Sequence, residues 1–182
     1  LAGYYRDDYG MDVRIVRFHN IFGPEGTWRG GREKAPAAIC RKVAEAKLDG
    51  TGVVEVWGDG QQTRSFCYID DCVEGIYRLM RSDHHEPLNL GQDRLISINE
   101  LVDLVTEAAG VEIEKRHIDG PMGVRGRNSN NDRLREVLGW EPRVSLEEGM
   151  ARTYRWIEDE VRTKLVREGV LAGDGASTEP IL

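Results

Sequence analysis

No apolar run in these 182 residues approaches the roughly 18 to 20 consecutive positions that a helix needs to cross a bilayer, so a membrane role has no support. An excess of cations is missing too. The chain sets 25 lysines and arginines against 32 aspartates and glutamates, a formal net charge of −7, whereas a nucleic-acid surface needs clustered cations without so large an opposing field. Cysteine is scarce: Cys40, Cys67 and Cys72 make neither an even set nor a Cys-x-x-Cys pair, which excludes a disulfide framework and suits a reducing, cytoplasmic setting. With His84 and His85 in a polar turn, His117 far away and no ligand spacing around the cysteines, no metal site is expected. No Gly-x-x-Gly-x-x-Gly follows an apolar run, so the dinucleotide fingerprint is absent, and there is no internal repeat or low-complexity block.

What is present alternates between strand and helix spacing. Residues 1–10 read as the last turns of a helix closed by Gly10, and residues 13–16, Val-Arg-Ile-Val, as an apolar strand. After Pro36, the spacing of Ala37, Ile39, Cys40, Val43, Ala44 and Leu48 predicts a helix, and residues 53–57 a short strand in which Trp57 could stack on a base but is expected, from its apolar strand position, to pack inward. Residues 66–69 run into Asp70, the expected N-cap of a helix whose buried face is Val73, Ile76, Leu79 and Met80. A strand at 88–90 precedes the capping box Ser97 to Glu100, which opens a helix with Leu101, Val102, Val105 and Ala108 inward. Residues 111–118 alternate as a half-exposed strand, 119–130 read as an irregular Gly/Arg loop, and Leu134 and Leu138 mark a short helix broken at Gly139. A second capping box, Ser145 to Glu148, starts the longest helix, with Leu146, Met150, Thr153, Ile157, Val161 and Leu165 as its stripe. Short connections between such elements place the chain in the α/β class, with residues 1–167 folded and the small, polar residues 168–182 a flexible tail.

The stretch 17–38, RFHNIFGPEGTWRGGREKAPAA, organises the functional reading. It leaves a strand, crosses a Gly/Pro-broken loop and enters a helix that carries Arg32, Glu33, Lys34 and a proline in its first turn. Arg29, Arg32 and Lys34 thus sit beside backbone freed by Gly23, Gly26, Gly30 and Gly31, and strand ends opening into loops are where open α/β sheets place ligands. A cation in a first turn opposes the helix dipole, which argues for a purpose at Lys34. Arg64 and Arg127, without nearby carboxylates in sequence and set in glycine-bearing loops, suit a bidentate grip on a diphosphate; interdomain ion pairs are the alternative. Cys40 fits a small core residue, and His19 a buried, hydrogen-bonded structural one.

R-F-H-N-I-F-G-P at 17–24 resembles the segment after the active-site helix in the extended short-chain dehydrogenase/reductase family, the NAD-dependent epimerases and dehydratases of nucleotide sugars. G-T-W-R-G-G-R-E-K-A-P-A-A, W-G-D-G-Q-Q-T-R-S-F and G-V-R-G-R-N-S are more particular, and resemble the 3,5-epimerase branch acting on GDP-hexoses. The similarity spans residues 9–164. It implies the C-terminal part of a Rossmann-like enzyme, with the last strands of the nucleotide sheet and the smaller substrate-binding domain. The family's glycine fingerprint, its Tyr-x-x-x-Lys segment and the cysteine partnering the motif lysine are not here: neither Tyr4 nor Tyr5 has a lysine four residues on.

The resemblance implies NAD as cofactor, a GDP-sugar as substrate and a homodimer for the full-length enzyme. It implies conversion of GDP-mannose to GDP-galactose: carbon 4 is oxidised, C3 and C5 are inverted through their acidified hydrogens, and the hydride returns. Lys34 carries over as an acid/base group, and Asn20, Glu33, Lys34, Ala35, Lys42, Gln62, Thr63, Arg64 and Arg127 as substrate contacts, though Lys42 reads equally well as a solvated helix residue. A lysine amine serves as a base near neutrality only when desolvated or crowded by cations, which Arg32 is placed to do. Lys34, Arg64 and Arg127 are expected to converge on one cleft. A 4-epimerase or 4,6-dehydratase of the same family is the nearest alternative, and a non-catalytic nucleotide-sugar binding module comes from another class. Without the cofactor half, the chain alone is expected to be inactive and to expose apolar faces.

Overall fold

The free N–H and C=O groups at helix ends need partners, and capping side chains or left-handed glycines supply them at several boundaries in this chain. The computed structural model describes residues 1–120 and 124–171. In order come α1 (Ala2–Tyr9), β1 (Val16–Phe18), β2 (Ile21–Phe22), α2 (Ala35–Leu48), β3 (Val53–Trp57), β4 (Thr63–Arg64), β5 (Cys67–Tyr68) and α3 (Ile69–Met80). Then follow β6 (Leu88–Leu90), β7 (Ile96–Ser97), α4 (Ile98–Ala109), β8 (Glu114–Ile118), β9 (Gly126–Arg127), α5 (Asp132–Leu138) and α6 (Leu146–Arg167). Ser97 and Glu100 close the reciprocal box that opens α4, and Gly10, Gly110 and Gly139 end α1, α4 and α5 in the left-handed region.

The strands pair as β1 with β6, β2 with β5 and β3 with β8, all parallel, while β4 lies between antiparallel β7 and parallel β9. Parallel pairing joined through helices is the α/β architecture expected from the alternation. Helices α2, α4 and α6 pack on one another beside β3, burying Cys40, Val43, Leu101, Val105, Met150 and Ile157. A smaller core gathers Leu79, Leu88, Leu90, Leu134 and Trp140 around β6, and Ile69 touches both. Each such side chain stabilises the fold by roughly 1.5 to 3 kcal/mol on burial.

Several expectations move. The strand expected at 13–16 forms at Val16–Phe18, because its register is fixed by β6: Val16 pairs with Leu88 and Phe18 with Leu90. Helix α3 is capped at Tyr68, not Asp70, so Asp70 and Asp71 fall in its first turn. Asp71 then turns inward and accepts from the Arg143 and Val144 amides at 3.0 and 2.8 Å. That rotation makes Asp71, Cys72, Gly75 and Leu79 the buried face of α3 and leaves Val73 and Met80, expected inside, exposed together with Tyr77. Trp57 is not a core residue: Val54 and Val56 take the inward positions of β3, and Trp57 stays 53% exposed. Lys34 is the extended residue before α2 rather than part of its first turn. In α4 Ala109, not Ala108, is buried. Ser145 accepts from the Glu148 amide, half of the expected reciprocal box.

The loop expected across 119–130 contains β9, and its residues 121–123 lie outside the described ones. Of the tail expected at 168–182, residues 172–182 likewise lie outside; before them Gly169 donates to the Val166 carbonyl at 3.1 Å in a closing turn. No described helix is long and apolar enough to cross a membrane.

Candidate active site

The loop from β2 to α2 is shaped by close packing at its start. A Cβ at Gly23 would lie 2.4 Å from the Ile69 side chain, so the motif glycine lets the chain pass against α3. Asn20, just before β2, sits at φ 45°, a left-handed conformation that asparagine tolerates better than other side chains. Its amide donates to the Ser65 carbonyl at 2.9 Å, tying this loop to the segment that carries Arg64.

At the end of the loop, Glu33 and Lys34 part company. Glu33 lines a hollow of about 370 Å³ with Ala35, Lys42, Trp57 and Gln62, over an apolar floor that includes Ile39, Val56 and Ile98. Lys34 lines another, about 290 Å³, with Gly23, Gly26, Arg32 and Thr153. The Lys34 side chain is exposed and has no hydrogen bond or ion pair among the described residues.

The Glu33 carboxylate is 8% exposed. It accepts from the Gly31 amide at 2.7 Å and from Arg41 at 3.1 Å. Burial pushes this carboxyl upward, but its own amide, Arg41 and Gly31 outweigh that and hold it below the usual carboxylate range. Lys42 donates to the Glu55 carbonyl at 2.6 Å, and burial, with Arg41 beside it, pulls its amine below the ordinary lysine value against the opposing pull of Glu55 and Glu45.

Arg64 and Arg127 are register partners on β4 and β9, and Thr63 pairs with Gly126. The ladder is closed by Thr63 donating to the Arg125 carbonyl at 2.8 Å and Ser65 to that of Arg127 at 3.2 Å. Arg64 is half-buried and donates to the carbonyl of Thr63 at 2.7 Å, whereas Arg127 is exposed. Gln62, which precedes this ladder, joins it to the 370 Å³ hollow. Neither arginine lines the hollow of Lys34. The chain therefore gathers Glu33, Ala35, Lys42 and Gln62 in one place and Arg64 with Arg127 in a second, bridged through Gln62, while Lys34 faces a third. Contrary to expectation, Lys34 and the two arginines do not line one common hollow among those described, because the β4–β9 ladder carries the arginines away from the loop that ends at Lys34. Arg125 lies 3.6 Å from Asp59, and Arg29 stacks 5.0 Å above the Trp28 ring.

Burial, and then the charges of Arg127 and Arg17, lower the proton affinity of His19, which is half-buried and holds the β1–β6 edge through its amide to the Leu90 carbonyl at 3.0 Å. Cys40 is fully buried among apolar side chains, and burial raises its thiol far above the usual range, as expected of a packing residue. Sequence reasoning missed Arg41 and took Trp57 for core, although both line the larger hollow. The one available signal for Arg41 was its spacing to Glu45, which it meets at 2.8 Å one helical turn on.

Residues 1–91 match the NAD dependent epimerase/dehydratase family. The chain belongs to that family. Among its curated relatives, GDP-mannose 3,5-epimerase 1 of Oryza sativa subsp. indica is 48% identical over 177 residues, 97% of this chain and 46% of that protein. The GDP-mannose 3,5-epimerase of Arabidopsis thaliana is likewise 48% identical over the same shares of each. The chain thus spans about half the length of the curated relatives it matches. In fold it is similar to a UDP-glucose 4-epimerase from Thermotoga maritima solved with UDP-glucose: 28% identity, TM-score 0.78, covering 87% of this chain and 50% of that one. The family is NAD dependent, and the glycine loops that follow the parallel strands β2 and β3, with Gly23, Gly26, Gly30 and Gly31 in one and Gly58 and Gly60 in the other, lack the Gly-x-x-Gly-x-x-Gly spacing of a dinucleotide cradle.

Proposed function

We propose that this chain is the substrate-gripping part of a cytoplasmic epimerase, homodimeric when full length, that converts GDP-mannose to GDP-galactose by inverting C3 and C5, with Lys34 as one acid/base group. The observation that carries this reading is the division at residues 33 and 34: two consecutive residues, the second extended, present a carboxylate to one hollow and an ammonium to another. A diphosphate-linked hexose has that bipartite form, with a base at one end and a reacting sugar at the other.

The larger hollow, apolar-floored and within the range of about 300 to 1,000 Å³ typical of ligand sites, suits the base. The ladder of Arg64 and Arg127 suits the diphosphate, which guanidinium groups bind bidentately. The hollow of Lys34 suits the hexose. Lys34 is exposed on this chain and shares its hollow with Arg32, so a sugar seated there meets the Lys34 amine directly. The family's NAD, held by residues other than those described here, would supply reversible hydride removal at C4, which would acidify the C3 and C5 hydrogens. The task left to this chain is to hold the sugar and to carry protons at the Lys34 Nζ. Its identity to the two curated 3,5-epimerases supports the same reading.

The test is Lys34→Ala in a protein that also contains the cofactor half, run in heavy water with GDP-mannose. Deuterium entry at C3 and C5 should fall by roughly 100-fold or more, the weight of a lost general base, while substrate affinity stays within a few-fold. Undiminished exchange at both carbons would refute the role of Lys34, and no exchange at either carbon in the unaltered protein would favour a 4-epimerase, whose chemistry leaves C3–H and C5–H intact.

A further inference from the structure

Glu33 differs from the other carboxylates on this surface. Its side chain is 8% exposed although it borders an open hollow, and two groups fix it: the Gly31 amide at 2.7 Å on one oxygen and Arg41 at 3.1 Å on the other. Arg41 is itself braced one turn further on by Glu45 at 2.8 Å. A carboxylate offers about four acceptor positions; Gly31 and Arg41 take one on each oxygen and the residue's own amide lies beside them, so acceptor capacity remains toward the hollow. The wall of the same hollow carries further unmet capacity, since Arg41 Nε and Gln62 Oε1 are both buried and have no partner among the described residues. An apolar floor beneath a fixed carboxylate is a setting for a flat base with two adjacent donors.

Guanine has such an edge, its ring N1–H lying beside its 2-amino group, and a carboxylate meets the pair bidentately. Adenine turns a lone pair to the same place, and uracil sets a single N–H between two carbonyl oxygens, which a carboxylate repels.

We propose that Glu33 selects guanine, its carboxylate accepting from N1–H and the 2-amino group of a base in the 370 Å³ hollow, and that Arg41 is the positioning residue that holds it there. This rests on the reading above that a GDP-sugar occupies the site.

Calorimetry on the 182-residue chain with GDP, UDP and inosine diphosphate, which lacks only the 2-amino group, tests it. The unaltered chain should bind GDP at least about 10-fold more tightly than either competitor, the weight of one hydrogen bond to a charged group. Glu33→Gln keeps the shape and should weaken GDP by roughly 10- to 100-fold while bringing all three ligands level. Arg41→Lys keeps the charge but not the fork, and should lose part of the preference with little change in the far-ultraviolet circular dichroism spectrum. A preference for GDP that survives Glu33→Gln would overturn the inference and leave the GDP-sugar reading standing. No binding of GDP or UDP by the unaltered chain would overturn both.

Discussion

Replacing Asp71 with alanine removes the carboxylate that pins the start of α3 to the segment leading into α6. Its side chain is buried, 6% exposed, and accepts from the Arg143 amide at 3.0 Å and the Val144 amide at 2.8 Å. Each hydrogen bond to a charged acceptor is worth about 1.5 to 3 kcal/mol, so two lost bonds set an upper range of about 3 to 6 kcal/mol. Arg143 lies at the surface, where water can replace part of what its amide loses, so a cost of about 3 kcal/mol is expected. For a chain of this size that corresponds to a fall of about 6 to 12 °C in Tm. Asp70 is the control: it is exposed and, among the described residues, reaches only Arg152 at 3.4 Å, and Asp70→Ala should cost no more than about 0.5 kcal/mol. Urea and thermal unfolding of both variants against the parent chain decide the matter. Equal, small losses would refute the view that Asp71, not its exposed neighbour, anchors the helix.

Gly149→Ala places a Cβ 2.8 Å from the Tyr68 ring and 3.0 Å from that of Phe22; overpacking should outweigh the helix-propensity gain and destabilise by about 1 to 2 kcal/mol in urea titration. His19 should titrate below its ordinary 6.5 in a proton-detected pH series, and Arg127→Gln should raise its midpoint without restoring it fully, because burial is the larger cause. Since protonation is disfavoured in the fold, this histidine's contribution to stability is intact above pH 6.5 and is lost as the pH falls through that value, where the unfolded chain takes up the proton first. The thiols of Cys40, Cys67 and Cys72 are buried, and that of Cys67 is pushed up to about 12, so an aromatic disulfide reagent should label none of them natively and all 3 in denaturant.

The elements written in local chemistry were legible in the sequence. The Ser97 to Glu100 box, the glycine stops after α1, α4 and α5 and the long stripe of α6 each follow from residues within a few positions of one another. What could not be read depended on partners far along the chain. The register of β1 is set by β6, some seventy residues on, and the inward turn of Asp71 is set by amides at 143 and 144. Trp57 is the same lesson on a strand: its apolar character argued for the core, and the alternation dictated by Val54 and Val56 put it on the other side. In the site, motif resemblance supplied Glu33 and Lys34, whose loop leads the two side chains to separate hollows, a division that no spacing in the sequence expresses. Arg41 escaped notice because its partner Glu33 lies across a helix start, outside the one-turn spacing by which ion pairs are recognised.

The most direct measurement is a titration of the isotopically labelled 182-residue chain with GDP-mannose, followed by amide chemical shifts. If the two hollows and the arginine ladder form one site, amides of 31–35, 37–38, 62–64 and 126–127 should move together along curves that share a single Kd. Shifts confined to one of these segments, or separate segments saturating at different concentrations, would contradict it.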